Sequence, residues 1–302
     1  MTIITDGSLA GQVPQIPPFR PATAEVFAQR AARLRALAPG HAMETYLRFA
    51  AALSQGQQSA LDRLGALPVP DEHTLTACRE HGMPPLSTEG LHRDARWREV
   101  LREIVAALDR DVLPREGAEA LARLSSMDVA ALEASADGLL QGRFDQLDAA
   151  LAPFIGAALQ VYWVKLAVQL GEAAYASGHQ YGLCPVCASY PVASVVRIGG
   201  AAQGLRYLVC ALCTSQWHVV RVKCTACAST AKISYLSLEG AKESLKAEVC
   251  AECQTYCKVF YMEKDAYVEP AADDLATLAL DMLVFDEGFH RLGPNLLLSP
   301  GA

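Results

Sequence analysis

Residues 184–257 read CPVCASYPVASVVRIGGAAQGLRYLVCALCTSQWHVVRVKCTACASTAKISYLSLEGAKESLKAEVCAECQTYC. They hold nine of the chain's ten cysteines, eight of them in four C-x-x-C pairs: Cys184/Cys187, Cys210/Cys213, Cys224/Cys227 and Cys250/Cys253. Twenty-two residues separate the first pair from the second, ten the second from the third, and twenty-two again the third from the fourth. Each of the first four cysteines therefore recurs 40 residues later. The same offset lays Ala188-Ser189 on Ala228-Ser229, Gly200 on Gly240, Val209 on Val249 and Val219 on Val259. So regular an offset marks a duplicated module.

Two C-x-x-C turns can place four thiolates at the corners of a tetrahedron, because the two intervening residues let both sulfurs of a pair reach one ion. Sequential pairing assigns Cys184, Cys187, Cys210 and Cys213 to one site and Cys224, Cys227, Cys250 and Cys253 to a second. It is favoured because a module should be self-sufficient before it is duplicated. An interleaved pairing, first with third and second with fourth, stays chemically open. A strand-rich segment between two such turns is the pattern of zinc ribbons and of rubredoxin, small sheets clamped by two knuckles. Reading the pairs as thioredoxin-type dithiols requires a neighbouring βαβ pattern, which the sequence lacks. Four thiolates suit zinc or iron, and ligand identity alone does not choose. Cys257, which the offset lays on Trp217, and Cys78 read as thiols without a site role, and His218 as a bystander.

Cysteine at this density means disulfides or metal, and compartment separates the two. The N-terminal MTIITDGSLAGQVPQIPPF lacks the basic and apolar regions of a secretory signal. In the most apolar long stretch, residues 151–176, Gln160, Lys165, Gln169 and Glu172 interrupt the pattern and argue against membrane insertion. The expectation is a cytoplasmic protein with reduced thiols, so metal ligands rather than disulfides.

Outward from the cysteines, the 302 residues suffice for about two domains, and 52% hydrophobic with 20% charged is the balance of a folded chain. The net charge of −7 argues against a general nucleic-acid binder. From Cys184 to Lys264 nine Lys and Arg face five Asp and Glu, an excess expected to offset two thiolate sites, each carrying −2 around a divalent ion. Apolar stripes at Phe27, Ala31, Leu34 and Ala38, at Tyr46, Leu47, Ala50 and Leu53, at Trp97, Leu101, Ile104 and Leu108, and at Phe154, Ala158 and Val161 predict a bundle of about six or seven helices. The run Arg30, Arg33, Arg35 is expected on a solvated helix face.

The small, polar run from Gly171 to Leu183 suggests a boundary. Beyond it, residues 193–198, 205–209, 217–222, 233–238 and 259–262 are predicted strands. Asp273 and Asp274 are expected to cap one amphipathic helix through Leu275, Leu278, Ala279 and Met282, followed by an extended tail from Gly293. The predicted fold class is α+β: a helical bundle, then a duplicated rubredoxin- or zinc-ribbon-like four-cysteine β domain, then a C-terminal helix. Its segments are an extended 1–20, helical 21–180, two modules at 181–222 and 223–265, and a helix with tail at 266–302. No phosphate-cradling loop, H-E-x-x-H or G-x-S-x-G motif accompanies them, so an enzyme is not expected.

The chain resembles the formate dehydrogenase accessory protein FdhE family over nearly its whole length. The segments that carry the likeness are RAARLRALA at 30–38, YLRFAA at 46–51, APFIGAALQVYW at 152–163, CPVC at 184–187 and GLRYLVCALC at 204–213. They continue with WHVVRVKC at 217–224, KAEVCAEC at 246–253, EKD at 263–265 and ADDLATLALD at 272–281. The resemblance implies a cytoplasmic maturation factor whose partner is the catalytic subunit of formate dehydrogenase. It also implies two rubredoxin-like iron sites on the eight paired cysteines, with zinc the alternative metal. The competing classes are a zinc-ribbon nucleic-acid-binding or structural interaction protein and an electron-transfer enzyme.

Overall fold

Every apolar stripe named above lies on a helix or at its end. The computed structural model describes residues 16–109, 113, 115–144, 147–176, 182–238, 240 and 243–298. Among them the helices before the cysteine region are α1 (Val26–Leu37), α2 (Glu44–Arg63), α3 (Glu72–His81), α4 (Arg96–Ala107), α5 (Arg115–Ser126), α6 (Val129–Leu140) and α7 (Ala152–Leu170). Helix α1 packs on α2, and both α2 and α4 pack on α7. Local chemistry sets the ends of α3: the Asp71 carboxylate accepts the Thr74 N–H, and Gly82 closes the helix in the left-handed region. The predicted linker residues Ser177 and Gly178, and the boundary at 180, lie outside the described residues.

Helix α7 is the core. By length and composition it could cross a bilayer, so the polar interruptions do not shorten it as expected. Burial inside the protein accounts for its apolar character instead: Phe154, Ile155, Leu159, Val161, Trp163 and Leu166 are all buried. Gln160 is tolerated there because Arg30 and Gln57 donate to its Oε1 and its Nε2 donates to the carbonyl of Ala211.

Among the described residues the cysteine region supplies six strands of one eight-stranded sheet, joined by a short strand from each end of the chain. These are β1 (Phe19–Arg20), β2 (Pro191–Val196), β3 (Arg206–Cys210), β4 (Gln216–Val219), β5 (Ile233–Leu236), β6 (Leu245–Cys250), β7 (Thr255–Tyr261) and β8 (His290–Arg291). The order is β1-β4-β3-β2-β7-β6-β5, with β8 beside β7. The duplication is visible in it. Strands β2, β3 and β4 form one antiparallel unit, β5, β6 and β7 its copy 40 residues on, and the two are joined by a parallel seam pairing Ser194 with Val259 and Val196 with Tyr261. Strand β6 lies outside the predicted runs: Lys246 and Glu248 alternate with Ala247 and Val249 at the strand period, but Lys, Glu and Ala have low strand propensity, and the strand is central to its unit. Strand β4 ends at Val219, short of the expected Val222. Phe19 and Arg20 are not merely extended but pair with Trp217 and Gln216.

Three further expectations are corrected. The final helix is two, α8 (Pro270–Leu275) and α9 (Leu278–Asp286), and Glu269 rather than an aspartate caps the first by accepting the Ala272 N–H. Asp273 and Asp274 are buried ion-pair partners. Asp273 receives Arg33, and Asp274 lies between Lys258 and Arg291. Of the run Arg30, Arg33, Arg35, only Arg35 stands on a solvated face: Arg30 is buried against Glu269, and Arg33 also reaches Asp265. In the tail, Leu296 and Leu297 are buried; Gly156 on α7 lies against Leu296, where a side chain would collide with its carbonyl.

Candidate metal centre

Each C-x-x-C pair sits in a knuckle set by the residues that follow it. The Cys184 N–H donates to the carbonyl of Ser189 (3.0 Å), Cys210 to Ser215 (3.0 Å) and Cys224 to Ser229 (2.8 Å). Ala188, Ala228 and Gln254 donate back to the carbonyls of Cys184, Cys224 and Cys250 at 2.9, 3.0 and 2.8 Å. The residue four positions after the first cysteine is left-handed in all four knuckles: Ala188 (φ 64°), Thr214 (60°), Ala228 (60°) and Gln254 (57°). Non-glycine residues rarely adopt this conformation, and four at equivalent positions mark one repeated turn. The turns aim amide N–H groups at sulfur, from Val186 to Cys184 Sγ (3.4 Å), from Leu212 and Cys213 to Cys210 Sγ, and from Ala226 and Cys227 to Cys224 Sγ.

The knuckles meet sequentially. The sulfurs of Cys184, Cys187, Cys210 and Cys213 all lie within 4.8 Å of one another, as do those of Cys224, Cys227, Cys250 and Cys253. The interleaved grouping is not what the fold builds. Within the clusters Cys184–Cys213 and Cys187–Cys210 are 3.5 and 3.4 Å apart, and Cys224–Cys253 and Cys227–Cys250 are 3.6 and 3.8 Å. A disulfide is about 2.05 Å. Metal–sulfur bonds of about 2.3 Å give a tetrahedron with edges of about 3.8 Å, which these separations approach.

Charge points the same way. Four thiols this close cannot all ionise by themselves. Burial pushes Cys184 and Cys210 well up, while S–H donors around Cys187 outweigh its own burial and hold it well down. A divalent cation would let all four be thiolates, so both donor sets fit a metal ion.

The two clusters differ in their surroundings. In the first, all four cysteines are buried, and the helical half grips the knuckles: Leu86 and Thr88 donate to the carbonyls of Val186 (2.8 Å) and Cys187 (3.2 Å), and Gln160 to that of Ala211 (2.6 Å). In the second, Cys227 is exposed and Cys253 half-buried, as Ala226, Ala251 and Glu252 stand in solvent. Ahead of the first knuckle, Gly182 (φ 89°) lies against the carbonyl of Thr225, between Cys224 and Cys227 of the second cluster. The gripping residues Leu86, Thr88 and Gln160 carried no sequence signal. The asymmetry did: CPVC and CALC hold apolar residues between their cysteines, CTAC and CAEC small or charged ones.

The remaining candidates fall outside both clusters. Cys257 is buried beside Arg206 and Glu248, its thiol pushed up to about 11 by burial, and Cys78 is buried in α3. His218 lies edge-on to Tyr207, 5.7 Å between ring centres, and burial lowers its pKa. Arg206, Lys232 and Lys264 pair with Glu248, Glu252 and Glu243 of the same segment, so those pairs leave its basic excess intact, and Lys258 pairs with Asp274 beyond it.

Models of the FdhE N-terminal, central and C-terminal domains match residues 16–179, 183–221 and 222–298. The chain belongs to the FdhE family. A relative from Pseudomonas aeruginosa named Protein FdhE homolog is 43% identical, covering 99% of this chain and 98% of that one. Protein FdhE of Salmonella arizonae is 42% identical over 95% and 92%. The crystal structure of the FdhE protein from Pseudomonas aeruginosa superposes with a TM-score of 0.85 at 42% identity, covering 95% of this chain and 100% of that one. In this FdhE chain a helical bundle grips the first of two tandem four-cysteine units.

Proposed function

We propose that this FdhE protein is a cytoplasmic, non-catalytic maturation factor that binds the immature catalytic subunit of formate dehydrogenase and carries two four-cysteine iron sites. The observation that carries the reading is the pair of four-thiol clusters on one sheet in a chain of this family. Cys184, Cys187, Cys210 and Cys213 hold one metal and Cys224, Cys227, Cys250 and Cys253 the other. Iron in such a site supplies one-electron chemistry, whereas zinc, the alternative, supplies only structure. The chain's own residues set the tetrahedra through the four left-handed turns, donate N–H bonds to sulfur and exclude water from the first cluster. The net charge of −7 weighs against a nucleic-acid-binding ribbon.

Two measurements test this. Protein purified without oxygen is expected to contain two irons per chain and to show ferric-thiolate absorption on oxidation; two zincs would remove every redox version. A tagged chain is expected to retain the formate dehydrogenase catalytic subunit from cells making that enzyme. Failure of both the metallated and metal-free protein to do so would overturn the maturation role.

A further inference from the structure

We propose that the second cluster is an exchange site, taking up and releasing its metal in the folded protein, while the first keeps its metal until the helical half opens. The proposal rests on the reading that both clusters hold metal and concerns how the two are controlled. Its basis is the difference in cover. Cys184, Cys187 and Cys213 are 0% exposed and Cys210 is 1%, under Leu86, Thr88 and Gln160. Cys227 is exposed, Cys253 half-buried, and Ala226, Thr230, Ala231, Lys232, Ala251 and Glu252 around them are exposed. Strand β5, which follows this knuckle, pairs on one side only, with β6, so no described strand covers its outer edge.

Ligand displacement explains the consequence. An incoming donor, such as a chelator carboxylate, bonds to the metal as the metal–Cys227 bond breaks, and the freed thiolate takes a proton from water. No electron moves. Once Cys227 is displaced, Cys253 is next in reach, and the buried Cys224 and Cys250 release last. In the first cluster no sulfur is open to an incoming donor, so the same displacement requires prior separation of residues 86–88 and α7 from the knuckles. Opening of a packed region is far rarer than fluctuation of an exposed turn. The chain therefore holds one permanent metal, and occupancy of the second cluster follows the free metal concentration.

The test uses the full chain loaded with two equivalents of Zn2+, challenged with excess EDTA and followed by native mass spectrometry. One equivalent is expected to leave at least about tenfold faster than the other, through a long-lived one-metal species. Iodoacetamide applied to that species should label Cys224, Cys227, Cys250 and Cys253 and spare Cys184, Cys187, Cys210 and Cys213. Cys227→Ser should lose the fast equivalent alone. Loss of both equivalents at one rate, or labelling of the first four cysteines first, would overturn the proposal while leaving two metal sites standing. A chain that takes up no Zn2+ would overturn both.

Discussion

The two four-cysteine clusters share ligand spacing, turn geometry and a three-strand unit, yet one is interior and the other is surface. Strands β2–β4 and β5–β7 match at an offset of 40, and the left-handed turns match at each knuckle. Val186, Ala211 and Leu212 of the first knuckles are buried, while their counterparts Ala226, Ala251 and Glu252 are exposed. The clamp is repeated, and the helical half packs on one copy of it. One core cluster accordingly runs from Phe27, Leu47 and Trp163 through Cys184, Cys187 and Cys213, whereas β6 and β7 share a smaller one with Leu280 and Val284 of α9.

The largest test of this contrast is loss of one ligand from each cluster. Because metal binding is folding free energy for such sites, Cys184→Ser should cost more than about 4 kcal/mol and abolish a single cooperative transition in urea. Cys227→Ser, at the open corner, should cost about 1–2 kcal/mol and leave near-ultraviolet circular dichroism of the helical half unchanged. Equal costs would mean that burial does not separate the two.

The seam offers the next largest effect. Arg206 of the first unit meets Glu248 of the second at 2.7 Å across the parallel β2–β7 junction, both nearly inaccessible, with Tyr235 donating to the same carboxylate. Arg206→Met should cost about 3–5 kcal/mol because it leaves a buried carboxylate unpaired, and adding Glu248→Leu should recover most of the loss. The offset lays Arg206 on Lys246, also a cation, but Glu248 on Leu208, so the pair as a whole is not repeated in both units. A double variant no more stable than the single would show that the pair does more than join the units.

Much of this was legible. The offset predicted both clusters and the sheet's repeat, and the 3.6-residue stripes predicted the helices, because each pattern repeats within a short window. What escaped were single long-range partners. Nothing near residue 33 announces Asp273, 240 positions away. Aspartates before an apolar run look like caps whether they are caps or, as here, anchors for Arg33, Lys258 and Arg291. Asp274 shows the consequence of that environment: burial alone would raise its carboxyl, but Arg291 and Lys258 hold it below its ordinary range. Its contribution is thus complete above the unfolded carboxylate pKa of about 3.9 and lost as pH falls through the lower folded value.

A third, smaller effect concerns the contact between Gly182 and the knuckle of Cys224 and Cys227. Gly182 combines a positive φ with close approach to the Thr225 carbonyl. Gly182→Ala should cost about 1–3 kcal/mol in backbone strain and displacement. Hydrogen exchange should rise in both knuckles rather than in one; a rise confined to residues 182–187 would mean that the contact does not couple them.

The smallest effect isolates what exposure alone does. Lys232 and Glu252 flank the second cluster as an ion pair at 3.1 Å, 64% and 41% exposed, and the offset lays them on the buried Val192 and Leu212. An exposed pair gains little from Coulomb attraction in water and spends side-chain entropy, so Lys232→Asn, which suits the left-handed backbone there (φ 53°), with Glu252→Gln should change the unfolding free energy by less than about 0.5 kcal/mol. The inward substitution, Leu212→Glu, buries an unpaired carboxylate against the helical half and should unfold the first unit. If the outward double change proved as costly as the inward single one, the second cluster would have to be covered by something beyond the described residues, and the contrast between the two clusters would disappear.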